Sequence, residues 1–249
     1  MRGRLVGVTG IAAIVLIGIV VLFASAGFFD RDAVHLVAAK DRRQPIGVVY
    51  FTGDMGVWFG MSADTIPALA AHGQPVYAIN SPTLFAARRT QADVDKIVTN
   101  AVRDGLAATR SDRIVLIGQS YGADILQTGL ATLPADLRKK VVAVVLVVPG
   151  DTVFFRADPS GLVYHGTPDS MGLTTARRLN WVPFTCIYGA AETDSLCPKL
   201  APPTRSTSGV SMPNLNIIAM PGGHFLKRDS AALIAHVLDA IRVSTKDLS

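Results

Sequence analysis

A serine between two glycines, preceded by a short apolar run and followed by a helical pattern, constrains this sequence more than any other feature. The aliphatic residues 114–117 predict a buried strand, and residues 123–133 have the spacing of a helix. Between them, residues 118–122 fit the pattern G-x-S-x-G around Ser120. A strand, a sharp turn and a helix are the context in which this pattern forms a nucleophile elbow. The sequence therefore predicts that Ser120 is a nucleophile held on a strained turn.

Strand and helix patterns alternate from residue 46 onward. The predicted strands are 46–51, 75–79, 113–117, 141–148, 184–188 and 215–219, and the predicted helices are 62–72, 91–108, 123–133 and 230–243. This alternation predicts an α/β fold with a mostly parallel central sheet and helices on both faces. Together with the elbow it indicates the α/β-hydrolase fold over residues 46–249. Residues 149–181, rich in Gly, Pro and Asp, form either a small cap over the pocket or a plain surface crossover.

The N-terminal region predicts export. Residues 5–29 contain no charged side chain, and as a helix they would be about 37 Å long, enough to cross a bilayer core of about 30 Å. Arg2 and Arg4 precede the run, which places the N-terminus in the cytoplasm and the domain outside. We therefore expect residues 1–29 to be a membrane anchor, with a signal peptide cleaved near residues 24–26 as the alternative. Residues 30–45 are expected to be a linker, with 34–39 as a short edge strand.

The two cysteines fit an oxidising compartment. Cys186 and Cys197 are the only cysteines, and a bridge between them would contribute about 3 kcal/mol through the loop that it closes. Two separate buried thiols are the alternative.

The charge pattern excludes some classes of function. The formal charge of +5 is modest, and the basic residues are scattered without interleaved aromatic residues, which argues against nucleic-acid binding. The sequence has no metal-ligand spacing, phosphate-binding loop or dinucleotide fingerprint, so we expect no cofactor and no metal.

A serine nucleophile needs a base and an acid, which follow it in the order acid and then histidine in this fold. His224 lies between the last predicted strand and the last predicted helix, where the base is expected. The acid should follow the strand before, where both Glu192 and Asp194 occur. We favour Asp194, with Glu192 as the alternative and Asp151 as a more distant candidate.

The oxyanion of such a reaction needs two backbone N–H donors. One is expected from Tyr121, which follows the nucleophile. The other should come from the glycine-rich loop after the first strand, at Asp54 or Met55. Trp58 in the same loop and Gln119 beside the serine are expected to contact substrate.

Four segments resemble the VirJ/AcvB family of exported bacterial α/β-hydrolase-like proteins, a resemblance that covers roughly residues 46–243. These segments are residues 52–58, 118–124, 186–198 and 222–225. The loop after the first strand departs from the family's usual Gly-Asp-Gly-Gly-Trp at Met55 and Val57, and Gln119 replaces a frequent aromatic residue. The family is linked to virulence and to hydrolysis of aminoacyl-phosphatidylglycerol, notably the lysyl ester.

The resemblance implies a substrate with a cationic ammonium group, for which Asp54 and Asp124 could supply carboxylates. Asp124 could instead be a structural hydrogen-bonding group near the elbow. We thus expect an esterase of an aminoacyl lipid, located in the inner membrane with its domain in the periplasm, or secreted. The alternatives are a general carboxylesterase or lipase of the envelope, and a non-catalytic interaction protein for secretion or virulence.

Overall fold

The computed structural model describes residues 2–40, 43–201 and 212–246, so the last predicted domain residues, 247–249, lie outside it. Its helices are α1 (Arg2–Ser25), α2 (Gly60–Ala71), α3 (Ser81–Leu84), α4 (Gln91–Thr109), α5 (Tyr121–Leu130), α6 (Ala135–Arg138), α7 (Gly172–Ala176), α8 (Cys197–Leu200) and α9 (Ser230–Thr245). Its strands are β1 (Val34–Val37), β2 (Ile46–Phe51), β3 (Val76–Ile79), β4 (Arg113–Gln119), β5 (Val141–Val147), β6 (Thr152–Val153), β7 (Ser170–Met171), β8 (Phe184–Gly189) and β9 (Leu215–Met220). A 3₁₀ turn covers Leu162–His165, and a short turn with positive φ values covers Leu226–Arg228.

The central sheet is mostly parallel, as the alternating pattern predicts. In the described ranges its strand order is β1-β3-β2-β4-β5-β8-β9, and β1 alone among these runs antiparallel to its neighbour. All seven side chains of β5 are buried, because helices cover both faces of the sheet. Helices α4 and α5 pack on one face, and α2 and α9 on the other. The carboxyl ends of β2, β4, β8 and β9 therefore lie along one edge of the sheet.

Part of the predicted linker belongs to this sheet. Strand β1 pairs with β3 from Val34 opposite Ile79 to Val37 opposite Val76. The Asn80 N–H donates to the Ala33 carbonyl at 2.8 Å, and the Thr83 hydroxyl donates to the Gly27 carbonyl at 2.8 Å. Residues 27–37 are thus fixed to the domain by strand pairing and by hydrogen bonds from Asn80 and Thr83.

The predicted membrane anchor is not confirmed. Helix α1 covers most of residues 1–29, but among the described residues no helix meets the length and hydropathy needed to cross a membrane.

The segment between β5 and β8 departs from the regular alternation, as expected. It contains the β6–β7 hairpin, the 3₁₀ turn 162–165 and α7. The predicted disulfide is present: Cys186 of β8 is bonded to Cys197 of α8, with Cα atoms 5.5 Å apart. It closes the loop that carries Glu192 and Asp194, which we call the acidic turn, because it bonds the strand before this turn to the helix after it.

Replacing both cysteines by alanine should lower the free energy of unfolding by about 3 kcal/mol, because the unfolded chain regains the freedom of a loop of this length. Urea unfolding of the variant and the oxidised protein measures the difference. Equal midpoints would contradict a stabilising bridge.

Candidate active site

The elbow at Ser120 has the strained geometry that its sequence predicts. Ser120 lies between β4 and α5 with φ 51° and ψ −125°, a backbone conformation that residues other than glycine rarely adopt. A Cβ on Gly118 would lie 2.6 Å from the Ala123 Cα, and one on Gly122 would lie 2.3 Å from the Phe51 carbonyl oxygen. Both flanking positions therefore require glycine, and the turn presents the serine hydroxyl at the sheet edge.

His224 lies where the chain order places the base. It lies in the loop between β9 and α9, which we call the histidine loop, and its Nε2 is 2.8 Å from the Ser120 Oγ. The following turn is left-handed, since Leu226, Lys227 and Arg228 have φ values of 48°, 51° and 59°. Such a conformation costs about 1–2 kcal/mol per residue. Burial of the Leu226 side chain, which is 1% exposed, offsets part of this cost and fixes the loop.

The acid that contacts the histidine is Glu192, which corrects the preference for Asp194. The Glu192 Oε1 is 2.8 Å from His224 Nδ1, and its Oε2 accepts the Gly189 N–H at 2.9 Å. The Glu192 side chain is 5% exposed. Asp194 is exposed, lies further along the turn and lines the cavity, while its carbonyl accepts the Asp151 N–H at 2.9 Å. Asp151 itself pairs with Lys199 and not with the histidine.

Backbone contacts join the acidic turn to the histidine loop. The Ala190 N–H donates to the Met220 carbonyl and the Ala191 N–H donates to the Gly222 carbonyl, both at 2.8 Å. A Cβ on Gly189 would lie 2.2 Å from the Gly223 carbonyl oxygen, so the two loops are in direct contact. Their separation is fixed by the β8–β9 pairing, which runs to Gly189 opposite Met220.

The loop after β2 reaches the nucleophile. A Cβ on Gly53 would lie 3.4 Å from the Ser120 Cβ, and the Gly56 N–H closes a turn on the Gly53 carbonyl at 3.1 Å. Asp54 and Met55 are the central residues of this turn, and both line the cavity. The Tyr121 N–H is the first of α5, where the helix offers no carbonyl partner. These are the amides that the sequence predicts as oxyanion donors.

Gln119 is held in a buried hydrogen-bond network. Its Oε1 accepts from the Tyr50 hydroxyl and from the Ser62 hydroxyl, each at 2.8 Å. The Gln119 side chain is buried at the cavity wall, and its contact with substrate stays a prediction. Both hydroxyls donate to the amide oxygen, and the amide nitrogen of Gln119 is the group that lies toward Gly53.

The cavity beside Ser120 is acidic. Its volume is about 410 Å³, and the described residues that line it include four carboxyl groups but no lysine or arginine: Asp54, Asp124, Glu192 and Asp194. Burial raises the pKa of Asp54, which accepts the Tyr164 hydroxyl at 3.2 Å. Burial and the nearby carboxylates also raise the pKa of Asp124 well above its usual value, although the Gly150 N–H donates to it at 2.8 Å. In the described ranges no cluster of acidic, histidine or cysteine side chains could hold a metal ion.

Trp58 does not line the cavity, unlike the other predicted contact residues. Its side chain is 63% exposed, and its ring packs edge-on against His35 with centroids 5.3 Å apart. Aromatic residues that were not predicted to contact substrate also line the wall: Phe59, Phe154, Tyr164 and Phe225. Tyr164 stacks on Tyr121 with centroids 6.3 Å apart, which joins the segment between β5 and β8 to the elbow helix. Phe225 could have been noticed because it follows the base directly.

Asp124→Asn should raise the stability of the fold at neutral pH. The raised pKa means that the folded state binds a proton more tightly than the unfolded state, so the native protein loses stability as pH rises from about 4 through that pKa. Asparagine keeps an oxygen for the Gly150 N–H without a charge, and its advantage should grow with pH. Urea unfolding at pH 4.5 and pH 8 tests this, with the exposed Asp136→Asn as control. An advantage that shrinks at higher pH would contradict it.

Solved structures with similar folds are α/β hydrolases of low sequence identity. The esterase Pf2001 of Pyrococcus furiosus is 15% identical, with a TM-score of 0.54 over 84% of this chain and 88% of that chain. Est1E from Butyrivibrio proteoclasticus is 14% identical, with a TM-score of 0.53 over 84% and 93%. Proline iminopeptidase of Mycobacterium smegmatis is 14% identical, with a TM-score of 0.56 over 87% and 96%. At these identities the similarity establishes the α/β-hydrolase fold.

Sequence comparison identifies the family. No curated protein matches this sequence. The family model described as bacterial virulence protein (VirJ) matches residues 46–245. This range contains the elbow, the acidic turn, the histidine loop and every strand of the central sheet other than β1. The chain therefore belongs to the VirJ family.

Proposed function

We propose that this protein is an exported serine esterase that hydrolyses aminoacyl esters of phosphatidylglycerol, the lysyl ester among them. The observation that supports catalysis most strongly is the continuous contact from the Ser120 Oγ through His224 to Glu192, at 2.8 Å for each step. A protein used only for binding has no need of this alignment, which is why we favour an enzyme over an interaction protein.

In the proposed first step, Ser120 attacks the aminoacyl carbonyl while His224 Nε2 takes the hydroxyl proton. Glu192 accepts the hydrogen bond from the Nδ1–H, which holds the tautomer that leaves Nε2 free and stabilises the imidazolium that forms. The oxyanion is bound by the Tyr121 N–H and by an N–H of the 53–56 turn. His224 then gives its proton to the phosphatidylglycerol oxygen, which leaves.

In the second step, water attacks the aminoacyl-serine ester. His224 removes a proton from that water, and the same two amides bind the second oxyanion. Return of the proton from His224 to Ser120 releases the free amino acid and restores the site. The strained elbow keeps Ser120 in position in both steps, so little reorganisation is needed.

The acidic cavity supports a cationic acyl group. An aminoacyl ester carries an ammonium close to the carbonyl, and a lysyl ester carries a second one at the end of its side chain. Asp54 and Asp124 are protonated more readily than usual because they are buried near other carboxyls, and a bound cation would favour their ionised forms. The rings of Tyr121 and Tyr164 offer additional cation–π contact.

A general carboxylesterase is the second candidate. The exposed rings of Phe59 and Phe225 at the same cavity favour an apolar acyl group. This candidate shares the proposed serine chemistry and differs in not using the carboxylates. In either case the disulfide suits an oxidising compartment, and we propose that the protein is secreted or periplasmic.

Ser120→Ala and Glu192→Gln should both reduce kcat/KM for p-nitrophenyl esters, by about 10³-fold or more for the serine variant because the nucleophile is lost. Asp194→Asn is the matched control, since it removes a neighbouring carboxylate that does not touch His224, and it should change the rate only a few-fold. A large loss of kcat/KM in Asp194→Asn with a normal value in Glu192→Gln would show that Asp194, and not Glu192, is the acid.

Purified protein should hydrolyse lysyl-phosphatidylglycerol faster than phosphatidylglycerol esterified with hexanoate, which has a similar chain without either amine. Asp54→Asn should raise the KM for the lysyl ester about tenfold or more, since one charged contact is lost, and leave the hexanoyl ester unaffected. Mass spectrometry of the released acids measures both. Cleavage of the hexanoyl and p-nitrophenyl esters with no cleavage of the lysyl ester would exclude the aminoacyl substrate and leave the general carboxylesterase.

A further inference from the structure

Exposed apolar side chains line the cavity or adjoin its lining residues in the chain. Phe59 and Phe225 line the cavity and are 47% and 66% exposed. Trp58 precedes Phe59 and is 63% exposed, and Leu162, 74% exposed, follows the cavity residue Gly161. We call these four residues the mouth patch. Exposed apolar groups on the loops that line one cavity indicate a binding surface more than scattered single ones do.

A basic pair lies next to this patch. Lys227 and Arg228 follow Phe225 in the left-handed turn, and both are exposed. The turn is held by the buried Leu226 and by three backbone hydrogen bonds. They run from the Leu226 N–H to the Gly223 carbonyl, from the Arg228 N–H to the Phe225 carbonyl and from the Asp229 N–H to the Leu226 carbonyl. The one buried side chain points inward while Phe225 and both cations remain outside, so a strained turn displays an aromatic ring and two positive charges beside the base.

The acidic groups near this turn, Asp229 and Asp64, are exposed and keep their charge. Asp229 accepts the Ala232 N–H at 3.0 Å as the cap of α9. Asp64 accepts a hydrogen bond from the Ser230 hydroxyl. Of the four cavity carboxylates, Asp194 is also exposed. The outward surface around Phe225 therefore carries apolar side chains and charges of both signs, and among the described residues Lys227 and Arg228 form no ion pair with a carboxylate.

We propose that the mouth patch, with Lys227 and Arg228 at its border, docks on the surface of an anionic phospholipid bilayer. Aromatic and aliphatic side chains would enter the boundary between headgroups and acyl chains, and the two cations would contact anionic headgroups. A second copy of the chain fits less well, because a symmetric contact would bring the same two positive charges together. The inference extends the proposed lipid esterase activity, since an ester could enter the cavity directly from the bilayer, but docking itself requires no turnover.

The test uses a reporter located in the patch. Exposed apolar side chains also occur on α1, Ile14 among them at 71%, so vesicle binding by the whole protein does not report on the mouth alone. The chain has two tryptophans, and Trp181→Phe leaves Trp58 as the single fluorophore. Trp181 Nε1 makes no hydrogen bond, and phenylalanine keeps a ring beneath Arg138. Ser120→Ala in the same chain prevents hydrolysis during the measurement.

With phosphatidylglycerol vesicles, Trp58 emission should shift to the blue and be quenched by brominated acyl chains, and phosphatidylcholine vesicles should produce a weaker effect. Lys227→Asn/Arg228→Asn should raise the lipid concentration for half-maximal quenching about tenfold or more. Asparagine suits this test because it tolerates left-handed backbone. Lys139→Asn/Lys140→Asn removes equal charge before β5, at the opposite sheet edge, and should have no effect. Leu162→Ser should weaken quenching, whereas Val243→Ser on α9, also an exposed aliphatic position, should not.

Unchanged Trp58 emission on vesicles that bind the protein would overturn the proposal, and so would equal losses in the control variants. A dimer in sedimentation velocity that dissociates in Leu162→Ser would instead assign the patch to a second copy. Because the reporter measures docking in a variant that cannot turn over, a failure to hydrolyse aminoacyl lipids leaves this result unaffected. Docking without any esterase activity in the native chain would refute the proposed function alone.

Discussion

The site depends on one close contact, the packing of the Ser120 turn against the end of β2. Gly122 lies so near the carbonyls of Phe51 and Thr52 that no side chain fits between them. The parallel pairing of β2 with β4, which ends at Phe51 opposite Gly118, sets this distance. The same contact brings the 53–56 turn over the nucleophile. A side chain at Gly118 or Gly122 would therefore displace Ser120 and the proposed oxyanion donors together, because the β2–β4 pair positions the nucleophile and the donors alike.

The proposed relay is a property of the sheet edge more than of any single loop. Ser120, Glu192 and His224 follow β4, β8 and β9, whose carboxyl ends share one edge because the strands are parallel. The acidic turn is hydrogen-bonded to the histidine loop through main-chain amides, and the disulfide joins β8, which precedes the turn, to α8, which follows it. Short loops held in this way leave the side chains little freedom, and such preorganisation is the main structural requirement for electrostatic catalysis.

The sequence predicted most of this architecture because its signals are local. Apolar runs and glycine punctuation placed the strands, and chain order placed Ser120 and His224 together. The choice between Glu192 and Asp194 was wrong because both have suitable spacing. Only the tight turn, in which the Glu192 N–H donates to the Gly189 carbonyl at 2.8 Å, shows which carboxylate faces the histidine. The expectation that Trp58 lies at the cavity, where Phe59 lies instead, was wrong for a similar reason. An irregular loop has no periodicity that shows which of two neighbouring side chains faces the cavity.

Activation of the Ser120 hydroxyl by its neighbours can be measured by labelling with a fluorophosphonate followed by peptide mass spectrometry. We expect one modified residue, Ser120, and labelling that slows strongly in His224→Ala although the hydroxyl is still present. Absence of label on Ser120 in the folded native protein, or equally fast labelling without His224, would contradict it.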